Sequence, residues 1–109
     1  MDIGSFLWVD GTLVPAEQAH ISLVNHALHY GSGVFEGIRF YQTTKGSAVF
    51  RLEEHMQRLL YSASVLEMEI PYNLETLCEA TLELLRENNT PAGYIRPVAL
   101  FGEGKMGLH

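Results

Sequence analysis

Apolar and polar positions divide the chain into seven segments. Residues 6–9 and 12–14 are two short β-prone runs. Asp10-Gly11 stands between them. That pair predicts a tight hairpin, because glycine accepts the positive φ of a primed turn. Pro15 ends the second run. Residues 16–32 are mixed and polar, with a short helical candidate over 26–30, and Gly31 and Gly33 punctuate the chain after it. Residues 34–41 then read as a strand, 47–51 as its partner, and 43–46 as the connecting turn.

Strand alternation puts Gly33, Phe35, Gly37, Arg39 and Tyr41 on one face, and Val34, Glu36, Ile38 and Phe40 on the other. The first face combines a ring, a guanidinium and two bare glycine positions. A strand glycine marks close approach by a ligand or another backbone, or else a bulge or tight bend. Both readings are open at this point.

Leu52, Met56, Leu59, Leu60, Ala63 and Leu66 recur at three- and four-residue steps, which predicts a helix over 52–68, closed before Pro71. Asn73 is placed to cap a second helix reaching about Asn88. Its stripe is Leu74, Leu77, Cys78, Thr81, Leu84 and Leu85. Asn88, Asn89, Pro91 and Gly93 form a stop. The last strand runs over 93–101, with Tyr94, Arg96, Val98 and Leu100 on one face. Pro97 removes a ladder donor there and predicts an edge or a bulge. The order ββ, ββ, α, α, β implies an α+β fold, an antiparallel sheet with two helices packed on one face.

At 109 residues the chain fits one domain with a real core. Seven basic and thirteen acidic side chains give a net charge of -6, which argues against nucleic acid and anionic membrane surfaces. Cys78 is the single cysteine, so an internal disulfide is ruled out and a reducing compartment fits. No apolar run is long enough to span a membrane, and the first residues carry no signal-peptide pattern. The expectation is a cytoplasmic protein.

Candidate chemistry narrows quickly. Five histidines include His26 and His29 at a helical spacing, but no HExxH or CxxC pattern accompanies them, so no metal site is expected. Cys78 lies on an apolar stripe without a basic neighbour and reads as core. Glu53-Glu54 and Glu67/Glu69 read as solvated helix faces and ends. Gly31-Ser32-Gly33 and Gly102-Glu103-Gly104 lack the strand–helix setting of a dinucleotide loop. The arginines say more. Arg39 and Arg96 share strand faces with Tyr41 and Tyr94. A hydroxyl and a planar fork aimed the same way suit a carboxylate or phosphate, while a sheet-edge Arg paired with a nearby Glu is the plainer alternative. Arg58, between Met56 and Leu59, reads on its own as a boundary residue.

The strings His29-Tyr30-Gly31 and Val34-Phe35-Glu36-Gly37-Ile38-Arg39, with Tyr41, resemble the branched-chain amino acid aminotransferases, pyridoxal-phosphate (PLP) enzymes of fold type IV. Phe50-Arg51-Leu52, Glu54-His55, Arg58-Leu59, Ser62-Ala63, Tyr94-Ile95-Arg96-Pro97 and Met106-Gly107 follow in the same order. The resemblance implies that residues 1–109 are the small N-terminal domain of a longer enzyme. Such an enzyme moves an amino group between leucine, isoleucine or valine and 2-oxoglutarate, giving branched-chain 2-oxo acids and glutamate. It implies that Arg58 binds the cofactor phosphate and that Phe35 and Gly37 line the branched-side-chain pocket. Tyr94 and Arg96 would hold substrate carboxylates, Arg96 chiefly the acidic side chain of glutamate, and Arg39 would be a weaker, positional contact. Tyr30, Met106 and Leu108 would reach a neighbouring pocket across a homo-oligomer interface. The family's Schiff-base lysine has no counterpart, since Lys45 and Lys105 are the only lysines. No catalytic residue is therefore assigned, and the chain is expected to be inactive alone. Other fold type IV enzymes (D-amino-acid or amine transaminases, aminodeoxychorismate lyase) and a noncatalytic ligand-binding or assembly domain are the alternatives.

Overall fold

A computed structural model describes residues 4–25 and 30–101. Two strands, β1 (Phe6–Val9) and β2 (Thr12–Pro15), form the first hairpin, with Phe6 opposite Pro15 and Val9 opposite Thr12. Asp10 at φ +47° and Gly11 at φ +95° make the primed turn that the Asp-Gly pair predicts. A 3-10 turn, Ala16–Gln18, follows. Of the helical candidate at 26–30, residues 26–29 lie outside the described residues.

The predicted strand at 34–41 is divided into β3 (Val34–Phe35) and β4 (Ile38–Thr43). Next in the chain comes β5 (Gly46–Val49), paired along one edge of β4. The predicted strand at 93–101 is likewise divided, into β6 (Gly93–Ile95), on the other edge of β4, and β7 (Val98–Ala99), which pairs with β3. The two divisions have one cause. Val34 faces Ala99 and Phe35 faces Val98, while Ile38 faces Ile95 and Arg39 faces Tyr94. The register is the same on both sides, so Glu36 stands opposite Pro97. Glu36 N–H donates to Pro97 O at 3.1 Å. Pro97 has no N–H to return, and the ladder opens at that point without slipping.

Arg51, expected to end a strand, takes φ +51° instead and turns the chain into α1 (Leu52–Val65). The helix stops three residues short of the predicted end. Glu67 is left-handed, at φ +56°. Met68 N–H bonds Ala63 O at 2.9 Å and Glu67 N–H bonds Ser64 O at 3.0 Å, a Schellman closure with Glu where glycine is usual. Leu66 falls beyond this stop and is exposed, while Met68 folds back and is buried. The second helix, α2 (Leu74–Asn88), starts where Asn73 Oδ1 accepts from Thr76 N–H at 2.8 Å, as its capping position predicts.

Ile38 from the sheet, Met56 and Leu59 from α1, and Leu77 from α2 form the buried centre. Each is worth roughly 1.5–3 kcal/mol of burial. Ala80, absent from the predicted stripe, is buried with Leu77 and Thr81. The helices pack against antiparallel strands that form three small sheets, β1–β2, β3–β7 and β5–β4–β6, and the chain has the α+β architecture that the element order implies. The first hairpin is tied to α2 by a side chain. Phe6 N–H donates to Asn88 Oδ1 at 2.9 Å, and Asn88 Nδ2 donates to Phe6 O at 3.0 Å. This amide completes the edge that β1 would otherwise expose. No helix among the described residues is long and apolar enough to cross a membrane.

The left-handed Glu67 is the test of this account of α1. Glu67→Gly should raise stability by about 1 kcal/mol, since glycine loses the Cβ penalty of that conformation. Urea unfolding would show a higher midpoint at unchanged slope. A lower midpoint would contradict the closure described.

Candidate functional site

At the ladder opening, strand alternation carries two neighbouring residues to opposite sides. Glu36 points to the helix side and Gly37 to the open side.

On the helix side, Glu36 is only 5% exposed, among Val34, Ile38 and Phe40. A carboxylate so placed needs charged partners. Arg58 supplies a fork. Its Nε lies 3.0 Å from Oε1 and 2.9 Å from Oε2, and its Nη2 lies 2.7 Å from Oε1. His55 Nδ1 is 2.8 Å from Oε1. An ionised carboxylate only accepts, so Nδ1 carries the hydrogen of that bond. Helical spacing puts His55 and Arg58 on one face of α1, three residues apart. The Arg58 guanidinium chiefly holds the Glu36 carboxyl below the usual carboxylate range; burial opposes this, and the His55 bond adds to it. Arg58 is in turn held charged by Glu36. The Arg58 side chain is itself 65% exposed. Among the described residues, its remaining nitrogen Nη1 has no hydrogen-bond partner.

On the open side, four residues come together. The Arg96 guanidinium stacks 4.4 Å from the centre of the Phe35 ring and 5.6 Å from that of Tyr94. Arg96 Nη2 donates to the Tyr94 hydroxyl at 3.3 Å. That hydroxyl occupies the space beside Gly37, and a Cβ built at Gly37 would collide with its oxygen and stand 2.8 Å from Cζ. The close approach at Gly37 is made by a side chain, which neither reading of the strand glycine named, and Gly37 itself lies in the break between β3 and β4. Arg39 lies opposite Tyr94 in the register, and Phe35, Tyr41, Tyr94 and Val98 are all exposed on this side. Among the described residues no acidic side chain shares the face: it carries Arg39 and Arg96 within a chain of net charge -6.

Tyr30 is largely exposed. Met106, Leu108, Lys105, His26, His29 and the Gly102-Glu103-Gly104 loop lie outside the described residues. Lys45 sits in the β4–β5 turn, the far end of β4 from the opening, roughly 20 Å away by strand rise. Cys78 is half-buried between the helices, and burial pushes its thiol up. Among the described residues no cluster of three metal-ligating side chains occurs. Glu36 and His55 were not among the anticipated site residues. Their signal was legible: a lone carboxylate on the apolar face of a strand requires a cation, and Arg58 is the cation on the helix above it.

The family model described as Amino-transferase class IV matches residues 33–109. The branched-chain-amino-acid aminotransferase of Pseudomonas aeruginosa is 46% identical over 107 residues, covering 98% of this chain and 35% of that relative. The one from Escherichia coli K12 is 42% identical over 104 residues, covering 95% and 34%. Among solved structures, the Escherichia coli branched-chain amino acid aminotransferase superposes with a TM-score of 0.92 at 41% identity, covering 98% of this chain and 35% of that one. A Thermoproteus uzoniensis branched-chain aminotransferase, solved with norvaline, superposes at 0.87 with 42% identity, covering 92% and 34%. The chain spans about a third of the length of the relatives it matches.

The depressed Glu36 carboxyl has a definite sign in acid. Below its ordinary value of 4.5 the unfolded chain takes up the proton before the folded one does. The contribution of Glu36 is therefore complete above that value and fades as pH falls through the lower folded value. The stability gap between wild type and Glu36→Gln should be constant near neutrality and shrink as pH falls below 4.5. Urea unfolding across that range measures it, and a gap independent of pH would contradict the buried pair.

Proposed function

The chain belongs to the class IV aminotransferases, and from that premise we propose that it is the small N-terminal domain of a PLP-dependent branched-chain amino acid aminotransferase. The reaction proposed exchanges an amino group between leucine, isoleucine or valine and 2-oxoglutarate. The observation that carries this reading is the open face: two arginines, one of them lying over aromatic rings, and among the described residues no carboxylate, in an otherwise acidic chain. Similarity to branched-chain enzymes over nearly the whole chain supports it.

The residues fit the cofactor in one respect. Arg58 presents an unused guanidinium nitrogen on an exposed side chain, which suits a phosphate oxygen. Bound PLP would supply an electron sink for the amino-group exchange. This chain's residues bind and orient. Phe35 provides an apolar wall, and Gly37 with the Tyr94 hydroxyl beside it sets the depth available to a branched side chain. Arg96 lies over the Phe35 ring and gives one Nη2 hydrogen bond to Tyr94, and its remaining N–H groups are proposed to take the side-chain carboxylate of glutamate. Tyr94 accepts from Arg96, and its own hydroxyl hydrogen can go to a carboxylate oxygen. Arg39 adds positive charge one register position away. Tyr30, Met106 and Leu108 are proposed to complete a neighbouring subunit's pocket, which makes the working form a cytoplasmic homo-oligomer. The exposed apolar side chains around Phe35 and Val98 support such cover.

Neither lysine of this chain is proposed to bond the cofactor, so residues 1–109 supply pocket walls and a phosphate contact without the reacting amine. Mixed with PLP, leucine and 2-oxoglutarate, the 109-residue chain should produce no glutamate. In an aminotransferase carrying this domain, Arg96→Gln should raise KM for glutamate by at least about tenfold and leave KM for leucine within about twofold. Glutamate formation by the chain alone, or equal effects on both substrates, would contradict the reading.

A further inference from the structure

Outside the open face, the most elaborate group of interacting side chains is Glu36, His55 and Arg58. Arg58 is exposed enough to meet a ligand, yet two of its three nitrogens are spent on a carboxylate that is itself buried. An arginine meant only to offer charge to an anion gains nothing from this pairing, because the carboxylate cancels much of that charge. What the pairing does supply is orientation. Three Arg58–Glu36 hydrogen bonds fix the guanidinium plane, and His55 fixes the carboxylate from the other side. The carboxylate in turn belongs to the residue whose backbone N–H is anchored to Pro97 O at the ladder opening. Its sequence neighbours are Phe35 and Gly37, the pocket walls.

We propose that Glu36 is a positioning residue that fixes the anion-binding edge of Arg58 relative to the substrate-facing residues at the ladder opening. This rests on the reading that Arg58 receives a phosphate. Phosphate is then met by one aligned Nη1 edge of a largely neutralised pair, so binding depends on direction more than on net charge. His55 acts at one remove, by holding Glu36.

Charge and position predict opposite signs. Glu36→Gln removes a negative charge beside Arg58, which by electrostatics alone tightens anion binding. Positioning predicts weaker binding, by about tenfold, the equivalent of one well-aligned charge-assisted hydrogen bond. Glu36→Asp keeps the charge and withdraws the carboxylate by one methylene. Electrostatics then predicts no change, and positioning again predicts a loss.

The experiment is a titration of the 15N-labelled 109-residue chain with inorganic phosphate, read at the Arg58 Nε–Hε resonance. In the wild type, that hydrogen should exchange with water more slowly than those of the exposed Arg39 and Arg86, and its resonance should shift with phosphate. Both variants should bind phosphate more weakly. A variant with a native amide spectrum that binds phosphate as tightly as wild type, or more tightly, overturns the proposal. So does a wild-type Arg58 Hε that exchanges as fast as those of Arg39 and Arg86, a result that needs no variant to fold. If phosphate leaves the wild-type Arg58 resonance unmoved, the phosphate reading of Arg58 falls and the proposal falls with it. A phosphate shift indifferent to Glu36 overturns the positioning role alone.

Discussion

The structure depends on one buried carboxylate. Glu36 occupies a position that the alternation of its strand assigns to the core, and it can stay there only because Arg58 and His55 reach it from α1. An unpaired carboxylate at that depth would be expelled or protonated. The ion pair therefore fixes how α1 lies on the strands, beside the packing of Met56 and Leu59 with Ile38. Such pairs need not add net stability over apolar packing, but removing one partner leaves the other uncompensated. Here the pair specifies an arrangement: a single guanidinium plane at a single place above the ladder.

The second constraint is a missing hydrogen. Pro97 opens the ladder without shifting its register, so the side-chain alternation persists across the gap. Persistence matters more than the gap itself. It puts Phe35, Arg39 and Tyr94 on the open side and Glu36 and Ile38 on the helix side. A one-residue slip would exchange these sets and bury the arginines. The gap also gives Gly37 its purpose, since the Tyr94 hydroxyl fills the space a Cβ would need. The arginine-bearing open side and the buried ion pair on the helix side thus meet where a proline and a glycine stand nearly opposite one another.

Much of this was legible in the chain. The Asp10-Gly11 turn, the Asn73 cap and the apolar stripe of α1 rest on local rules, and the structure realises the turn, the cap and the stripe from Leu52 to Ala63. Alternation placed Phe35, Gly37, Tyr94 and Arg96 on shared faces, and the structure brings these four together. Other features depended on tertiary context. Two continuous strands were expected because Pro97 could not be matched with Glu36 before the pairing was known. The end of α1 was misplaced because a left-handed glutamate leaves no local signature. Ala80 was missed because a small side chain contributes little to a hydrophobic stripe. The Glu36–Arg58 pair spans twenty-two residues, beyond any local rule, although the carboxylate on an apolar strand face hinted at it.

Whether Glu36 and Arg58 act as a unit is measured most directly by a double-mutant cycle on unfolding free energy, with Glu36→Gln, Arg58→Met and the double variant. The account predicts strong coupling: each single change destabilises, and the double variant loses clearly less than the two losses combined. Strictly additive losses would mean that the two side chains do not depend on one another, and would contradict it.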